Sequence, residues 1–346
     1  MTKEEKIKEL EEELRTTKYN KRTQHHVGLI KAKIAKLKQP SSSSKSIKPL
    51  FSVKKTGDAT VILIGPPSVG KSTLLNKITN ANTKTAAYQF TTLKPIPGIL
   101  NYKNSKIQLI DLPGIIEGAS EGKGRGREVL STLRNADLVI ILLDPKTIKL
   151  KEKIEKELEQ ANIRLNKQPP KIKLTKEQKG GLKIHSNLQK ETVTSILKEF
   201  KIQNGDITTH NVTIDQLIDF LEGNKVYIPS ITVINKSDLL KQKTPFLEIS
   251  VTKNKNLDKL KEQIFNKLDI MQIFLKQVGK EPDLEEPLII KNNSTIKDVC
   301  LDLHKDFLTK FDFARVWGSS VKHDGQKVLK TTHLLKNKDI LEIHLK

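Results

Sequence analysis

Residues 65–72 read GPPSVGKS, and this stretch sets the fold class of the chain. The apolar, β-branched run at 61–64 precedes it and is typical of a buried parallel strand. Residues 72–78 follow with the pattern of a helix. A strand, Gly-x-x-x-x-Gly-Lys-Ser and a helix in this order predict a phosphate-binding loop, because backbone N–H groups and a positive helix end then surround an oxyanion. The sequence therefore predicts an α/β fold with a doubly wound sheet that binds a nucleoside triphosphate.

The residue types of this loop have chemical reasons. Gly65 and Gly70 carry no Cβ atom, so the backbone can curve closely around phosphate oxygens. Lys71 can place a positive charge on the β- and γ-phosphates and is a candidate catalytic residue, while the Ser72 hydroxyl is a candidate Mg²⁺ ligand. The residues predicted to bind the nucleotide here are Gly65, Pro66, Pro67, Ser68, Val69, Gly70, Lys71, Ser72 and Thr73.

Two later motifs indicate which nucleotide binds. DLPG (111–114) follows an apolar strand, so its carboxylate can hold the Mg²⁺ shell and the Gly114 N–H can reach the γ-phosphate. NKSD (235–238) follows another strand, where Asp238 can accept both N1–H and N2–H of guanine. Adenine lacks this donor pair, so GTP is expected, and the loop at 250–252 resembles the one that reaches the guanine O6. The residues predicted to bind GTP in these motifs are Asp111, Leu112, Pro113, Gly114, Asn235, Lys236, Ser237, Asp238, Ser250, Val251 and Thr252.

A polar stretch between the first two motifs contains Phe90, Thr91 and Thr92, which are also predicted to bind GTP. A threonine hydroxyl here would complete the Mg²⁺ shell only while GTP is bound, as in an order–disorder switch. Chemistry alone leaves the choice between Thr91 and Thr92 open. The alternative to a switch is a strand edge with two β-branched residues.

These motifs carry a family resemblance. YQFTTL (88–93), DLPGIIEGA (111–119), EGKGRGRE (121–128) and NKSD resemble the Obg-type GTPases. Four further stretches resemble the developmentally regulated GTP-binding proteins, a branch of the Obg type, over nearly the whole chain. They are HHVGLIKAKIAKL (25–37), NIRLNKQPP (162–170), GNKVYIP (223–229) and VWGSSVKH (316–323).

The resemblance implies a P-loop GTPase that is associated with translation and ends in a ubiquitin-like TGS domain of β-grasp fold. It implies that Thr92 is the second Mg²⁺ ligand, so the catalytic candidates are Lys71, Thr92 and Gly114. Ile115 stands where Ras-type GTPases have a water-orienting Gln, which predicts slow intrinsic hydrolysis. Ser68 stands where some GTPases of this wider class ligate K⁺ through an Asn, so K⁺ is a second candidate cofactor after Mg²⁺.

Composition favours a nucleic-acid partner. The chain has 62 Lys and Arg against 40 Asp and Glu, a formal charge of +22, and such an excess suits proteins that neutralise phosphates. The alternative explanation is a lysine-rich genome or a hot habitat, which raises the lysine content throughout a chain without a binding role. The single cysteine, Cys300, excludes a disulfide framework and is expected to be a small buried hydrophobe. Without a signal core or an apolar run of membrane-spanning length, we expect a cytoplasmic monomer that makes no membrane contact.

The chain is predicted to comprise five segments. They are an N-terminal helical hairpin and linker (1–45), the first part of the GTPase domain (59–150), an inserted α/β module (151–226), the second part of the GTPase domain (227–270) and the TGS domain (271–346). The insert is inferred because a parallel crossover needs far fewer residues than lie between the strands at 138–143 and 231–234. In the TGS segment a single helix is expected over 295–310. Trp317 there is expected to pack in the core rather than stack on a base.

The insert contains several basic residues, for which a ribosomal-RNA contact and a solvated surface are equally open. They are Arg164, Lys167, Lys171, Lys173 and Lys183. The leading functional hypothesis is a GTPase switch that acts on ribosomes or RNA during translation. The alternative is a GTP-timed protein-interaction scaffold without direct ribosome binding, its partner docking on the TGS domain or the N-terminal helices. A related ATPase is disfavoured by the intact guanine-reading Asp238.

Overall fold

The structure is a computed structural model that describes residues 2–18, 20, 23–38, 57–79, 96–112, 126–240 and 242–346. The helices in this part of the chain are α1 (Lys3–Thr16), α2 (Gln24–Lys38), α3 (Lys71–Ile78), α4 (Gly126–Leu133), α5 (Lys151–Gln160), α6 (Lys190–Glu199), α7 (Ile214–Glu222), α8 (Leu257–Leu268), α9 (Ile296–Leu303) and α10 (Lys305–Thr309). The strands are β1 (Ala59–Ile64), β2 (Ile96–Tyr102), β3 (Ser105–Asp111), β4 (Leu138–Leu143), β5 (Ile163–Leu165), β6 (Ile172–Lys176), β7 (Leu182–His185), β8 (Gly205–Thr209), β9 (Val226–Ile228), β10 (Ser230–Ile234), β11 (Leu247–Glu248), β12 (Ile270–Lys276), β13 (Leu288–Lys291), β14 (Phe311–Trp317), β15 (Gln326–Val328) and β16 (Ile340–Leu345). None of the described helices is both long and apolar enough to cross a bilayer.

The chain divides into two compact units. Unit 1 comprises Met1–Lys48 and Asn162–Tyr227, and unit 2 comprises Pro49–Ala161 and Ile228–Lys346. The helical hairpin and most of the insert, which the sequence analysis treated as separate segments, therefore form one unit. Helix α5 was assigned to the insert but belongs to unit 2.

Unit 2 contains a six-stranded sheet in the order β11-β10-β4-β1-β3-β2. Its pairs are parallel except that β2 runs antiparallel to β3. Every residue of β1 and β4 is buried, which explains their uninterrupted apolar runs. This is the doubly wound α/β sheet that the sequence predicts, and the carboxyl ends of its central strands present the loops that carry the motifs.

Unit 2 also contains a five-stranded sheet in the order β13-β12-β16-β14-β15. Cys300 is fully buried in the core beneath it, as expected, together with Val299 and Val316. Trp317 is half-buried, outside the fully buried core, with Lys276 Nζ 5.0 Å from its ring centroid. Strands β12 and β15 were not predicted from the sequence.

The single helix expected over 295–310 is wrong. The chain has extended dihedrals at His304 (φ −166°, ψ 144°), which separates α9 from α10. The His304 ring Nδ1 accepts the N–H of Asp306 at 3.2 Å and so caps the second helix. A side chain that satisfies a free N–H makes a new helix start cheaper than continuing the old one.

Unit 1 is built on a three-stranded sheet in the order β6-β8-β7, with β8 antiparallel to β6 and parallel to β7. Helices α6 and α7 cover one face, and Ala32 of α2 joins the same core. Two ion pairs join helix α2 to α7 and α6. They are Lys31–Asp215 at 2.8 Å and Lys36–Glu199 at 3.1 Å. Strand β8, which lies between β6 and β7, was not predicted from the sequence.

Candidate nucleotide-binding site

The phosphate-binding loop connects β1 to α3, and its two glycines, Gly65 and Gly70, stand where a residue with a Cβ atom would clash. Gly65 lies at φ 150°, where an added Cβ would overlap the carbonyl oxygen of Leu142. Gly70 lies at φ 94°, where a Cβ would be 2.6 Å from Asn235 Nδ2. Both positions combine a left-handed backbone with a close neighbour, so the Gly-x-x-x-x-Gly spacing follows from packing as well as from phosphate access.

Lys71 is folded into this loop. Its ammonium Nζ donates to the carbonyl oxygens of Gly65 at 3.0 Å and Pro66 at 2.9 Å. Burial lowers the pKa of Lys71, and the nearby Asp111 carboxylate opposes that shift. The side chain is therefore a desolvated cation donor at the first turn of α3, where it can exchange these carbonyls for phosphate oxygens.

Ser72 and Asp111 meet beside Lys71. The Ser72 hydroxyl donates to Asp111 Oδ2 at 2.5 Å, and burial raises the pKa of Asp111 although Ser72 and Lys71 pull it back. Asp111 Oδ1 is buried and has no hydrogen-bond partner in the described part of the chain. Such an atom is costly unless something satisfies it. A hydroxyl and a carboxylate are oxygen donors of the kind Mg²⁺ prefers, so these residues fit a magnesium ion and its water shell.

Asn235 joins the phosphate loop to the guanine-binding loops. Its amide Nδ2 donates to the Val69 carbonyl at 2.9 Å, while its Oδ1 accepts the Val251 N–H at 3.2 Å. The side chain is buried, so both bonds are shielded from water. The first residue of NKSD is thus a structural tie between the three motifs.

The loop at 250–252 orients the Asp238 carboxylate for hydrogen bonding. The Ser250 hydroxyl donates to Asp238 Oδ1 at 2.8 Å, and this bond is the main reason why the pKa of Asp238 lies below its ordinary value. Lys253 Nζ stands 3.9 Å from the other carboxylate oxygen. The carboxylate is therefore an ionised double acceptor, the form required to bind two donors of guanine. The Thr252 hydroxyl lies 3.3 Å from Ser250 Oγ in the same loop.

Asp144 is a member of this site that the sequence analysis did not name among its candidates. It follows β4, and its Oδ2 accepts a bond from Lys236 Nζ at 2.9 Å. The same ammonium donates to the Ser68 carbonyl at 2.9 Å, at a residue with φ 62°. Burial acts to raise the pKa of Asp144, but hydrogen bonds from Lys236 and Thr147 outweigh it and hold that pKa low. The available signal was a carboxylate at the carboxyl end of a central parallel strand.

Three stretches of the chain match known protein domains. Residues 60–176 match a model described as 50S ribosome-binding GTPase, 179–270 match the C-terminal region of that domain, and 271–345 match the TGS domain. A GTP-binding protein of Methanocaldococcus jannaschii is 47% identical, covering 99% of this chain and 93% of its own. Developmentally-regulated G-protein 3 of Arabidopsis thaliana and developmentally-regulated GTP-binding protein 1 of Xenopus laevis are each 44% identical, covering 98% of both chains.

The chain belongs to the developmentally regulated GTP-binding proteins. The resemblance drawn from the motifs is therefore confirmed, and the protein is a GTP-hydrolysing enzyme with a P-loop GTPase fold and a C-terminal TGS domain.

Part of the predicted site of this developmentally regulated GTP-binding protein lies outside the described residues. That part comprises Phe90, Thr91, Thr92, Pro113, Gly114 and Ile115. Of the remaining predicted residues, Leu112 is buried and donates its N–H to the Leu63 carbonyl at 3.3 Å. Pro67 in the phosphate loop and Thr73 in the first turn of α3 are exposed. The described residues bring the phosphate loop, Asp111, NKSD and the 250–252 loop to one edge of the sheet.

Proposed function

We propose that this GTPase is a switch that acts on ribosomes or RNA during translation. The observation that carries the proposal is the match of residues 60–176 to a family model described as 50S ribosome-binding GTPase. The formal charge of +22 supports it, because release of counterions from phosphates drives the binding of basic proteins to nucleic acid.

At the nucleotide site we propose that Lys71 binds the β- and γ-phosphates and that the Gly114 N–H contacts the γ-phosphate. The loop residues from 65 to 73 supply the remaining donors, with Phe90 and Thr91 closing over the nucleotide. Ser72 and Thr92 would hold Mg²⁺, with Asp111 binding its water shell through the unpaired Oδ1. The ion would neutralise charge that develops on the phosphates during transfer.

For the base, we propose that Asp238 accepts N1–H and N2–H of guanine while backbone N–H groups of the 250–252 loop contact O6. The bond from Ser250 supports this role because it holds the carboxylate in its ionised form and fixes its rotamer. Asn235 and Lys236 would act by holding the loops together.

We also propose that intrinsic hydrolysis is slow, on the order of 10⁻³ s⁻¹ or less, the range of GTPases without an activator. An alkyl side chain at position 115 cannot orient the attacking water. The ribosome or an associated protein would then supply the missing group, which makes hydrolysis dependent on the partner.

Sedimentation of a cell lysate through a sucrose gradient tests the proposal. With a non-hydrolysable GTP analogue the protein should migrate with ribosomes, and it should leave them with GDP or at raised salt. Lys71→Ala is the matched control, because it should fail to respond to the analogue.

Migration away from ribosomes in both nucleotide states would favour the scaffold alternative. One observation supports that alternative: two leucines of the TGS domain, Leu329 and Leu334, are 67% and 55% exposed. Exposed apolar side chains of this kind are more typical of a protein contact than of an RNA contact.

A further inference from the structure

The sheet of unit 1 has one apolar and one basic face. Ile172, Leu174, Leu182, Ile184 and Ile207 point to the helices that cover the apolar face. Because side chains alternate along a strand, the residues between them lie on the other face. We name this the basic sheet face, and its exposed cationic and imidazole side chains are Lys171, Lys173, Lys183, His185 and His210.

The strand pairing places these side chains in one array. Lys173 and His185 flank Thr208 across the sheet, and Lys183 lies next to Asp206. The His210 N–H donates to the Lys171 carbonyl and extends the ladder by one residue. Strands β6 and β7 lie on either side of β8, so the two strands that carry the lysines are about 10 Å apart. Strand β8 is required for this array, because it pairs with both β6 and β7 and so brings their side chains onto one face of the sheet.

These lysines differ from three lysines of α2 in the same unit. Lys31, Lys36 and Lys38 each form an ion pair with a carboxylate of unit 1. Within the described residues, the side chains of Lys171, Lys173 and Lys183 make no ion pair or hydrogen bond.

Arg164, which the sequence analysis grouped with these lysines, has a different role. Its guanidinium forms an ion pair with Asp219 at 3.3 Å, and its side chain is only 16% exposed. Lys225 joins the same cluster through Asp219 and Glu222. Arg164 is therefore part of the internal structure of unit 1 and does not belong to the basic sheet face.

We propose that the basic sheet face binds the phosphate backbone of double-helical RNA on the ribosome; this inference rests on the proposed function. Lysine is depleted at protein–protein interfaces but neutralises phosphates well. The outward neighbours Thr175, Asp206 and Thr208 are polar, so the face offers no apolar anchor for a protein. It has no Phe, Tyr or Trp, so single-stranded bases would find only the small imidazole rings of His185 and His210 to stack on. We therefore infer that recognition rests on backbone shape and charge rather than on sequence.

The test uses the full chain and a labelled A-form RNA duplex, with fluorescence anisotropy measured over a series of KCl concentrations. The variant is K171A/K173A/K183A, and the matched control is K190A/K198A/K201A, which removes three exposed lysines in and beside α6, the helix that packs on the apolar face. We expect the slope of log K against log salt to fall by about three for the variant and to stay unchanged for the control. GTP hydrolysis without RNA should be equal in all three proteins.

An unchanged slope in K171A/K173A/K183A would overturn the inference, as would an equal loss in the control, which would mean that only total charge matters. Tighter binding of wild type to polyglutamate than to the duplex would overturn it in favour of an acidic protein. These results are independent of the lysate experiment. If wild type migrates with ribosomes and the variant retains its slope, the proposed function stands and this surface assignment fails.

Discussion

The nucleotide site of unit 2 and the basic sheet face of unit 1 both depend on lysine, but they use it in opposite ways. Lys71 and Lys236 each donate to two acceptors in the loops of the site. The lysines of the basic sheet face are exposed, and their side chains make no ion pair or hydrogen bond within the described residues. A desolvated charge such as that of Lys71 needs partners in fixed geometry, whereas exposed lysines can bind phosphates through their number and spacing alone.

This difference decides how each region reacts to change. A substitution at the nucleotide site removes a bond that no other residue can replace, so its effect should be large and specific. A single substitution on the basic sheet face removes one of several similar charges, so its effect should be small and roughly additive.

Lys71→Ala should give the largest effect. The loss of a buried, hydrogen-bonded charge costs about 2–5 kcal/mol, so affinity for a GTP analogue should fall about a hundredfold or more. Isothermal titration measures it. Lys77→Ala is the control, because Lys77 is exposed in the last turn of the same helix and should leave affinity unchanged. If the two variants bind alike, the phosphate role of Lys71 is wrong.

Asp238→Asn should change the choice of base. The amide replaces an acceptor with a donor opposite guanine N1–H, so GTP affinity should fall about a hundredfold while xanthosine triphosphate binds better. Competition titration with both nucleotides gives the ratio. Asp258→Asn is the control at a carboxylate whose side chain is 94% exposed. Equal GTP binding by the Asp238 variant and wild type would contradict guanine reading by this residue.

The same contrast explains what the sequence could predict. The phosphate loop and NKSD impose residue types at fixed spacing, so the motifs were found in the sequence and the structure brings their described residues together. Asp144 was missed because its role depends on where Lys236 reaches, which no spacing encodes. The basic sheet face was found only in part, since Arg164 looks like its neighbours in sequence until its pairing with Asp219 is known.

The secondary structure likewise divides into elements that the sequence predicts and elements that it does not. Strands β1 and β4, buried on both faces, were predicted from uninterrupted apolar runs. Strand β8 reads GDITT, with two small polar residues at its end, and carries little apolar signal of its own. At His304 the chain can either continue the helix or end it and start a new one that the His304 side chain caps. The two differ by only a small free energy. Marginal local preferences are decided by tertiary packing.

Arg164→Ala tests whether the internal charges of unit 1 are structural. Its pair with Asp219 is largely shielded, so its loss should destabilise unit 1 by about 2 kcal/mol, between the values of exposed and fully buried pairs. Hydrogen exchange of 162–227, followed by mass spectrometry, should show faster exchange. Lys173→Ala should leave exchange unchanged, because exposed substitutions rarely exceed about 0.5 kcal/mol. Equal protection in both variants would remove the distinction between the two sets of charges.

Asp144→Asn should have a smaller effect on the nucleotide. The amide keeps its shape but weakens the charge-assisted bond to Lys236, so affinity for GTP and GDP should fall equally, about tenfold. Because the pKa of Asp144 is held low, wild type should keep this bond at mildly acid pH and lose it only as pH falls through that lowered value. A loss confined to GTP would place Asp144 at the γ-phosphate rather than at the base-binding loop.

The smallest effect concerns potassium. Ser68 has φ 62°, a conformation that Asn adopts more readily than most residues, so Ser68→Asn should fold without added strain. The Asn carbonyl oxygen is a better K⁺ ligand than a serine hydroxyl, so single-turnover hydrolysis in KCl relative to NaCl should rise slightly in wild type and more in the variant. The Lys236 bond to the Ser68 carbonyl involves the backbone and should persist in both. Equal rates in the two salts for both proteins would exclude K⁺ as a cofactor. If the variant also hydrolyses GTP faster in NaCl, its amide orients the attacking water directly. The phosphate loop would then supply the water-orienting group that Ile115 cannot provide.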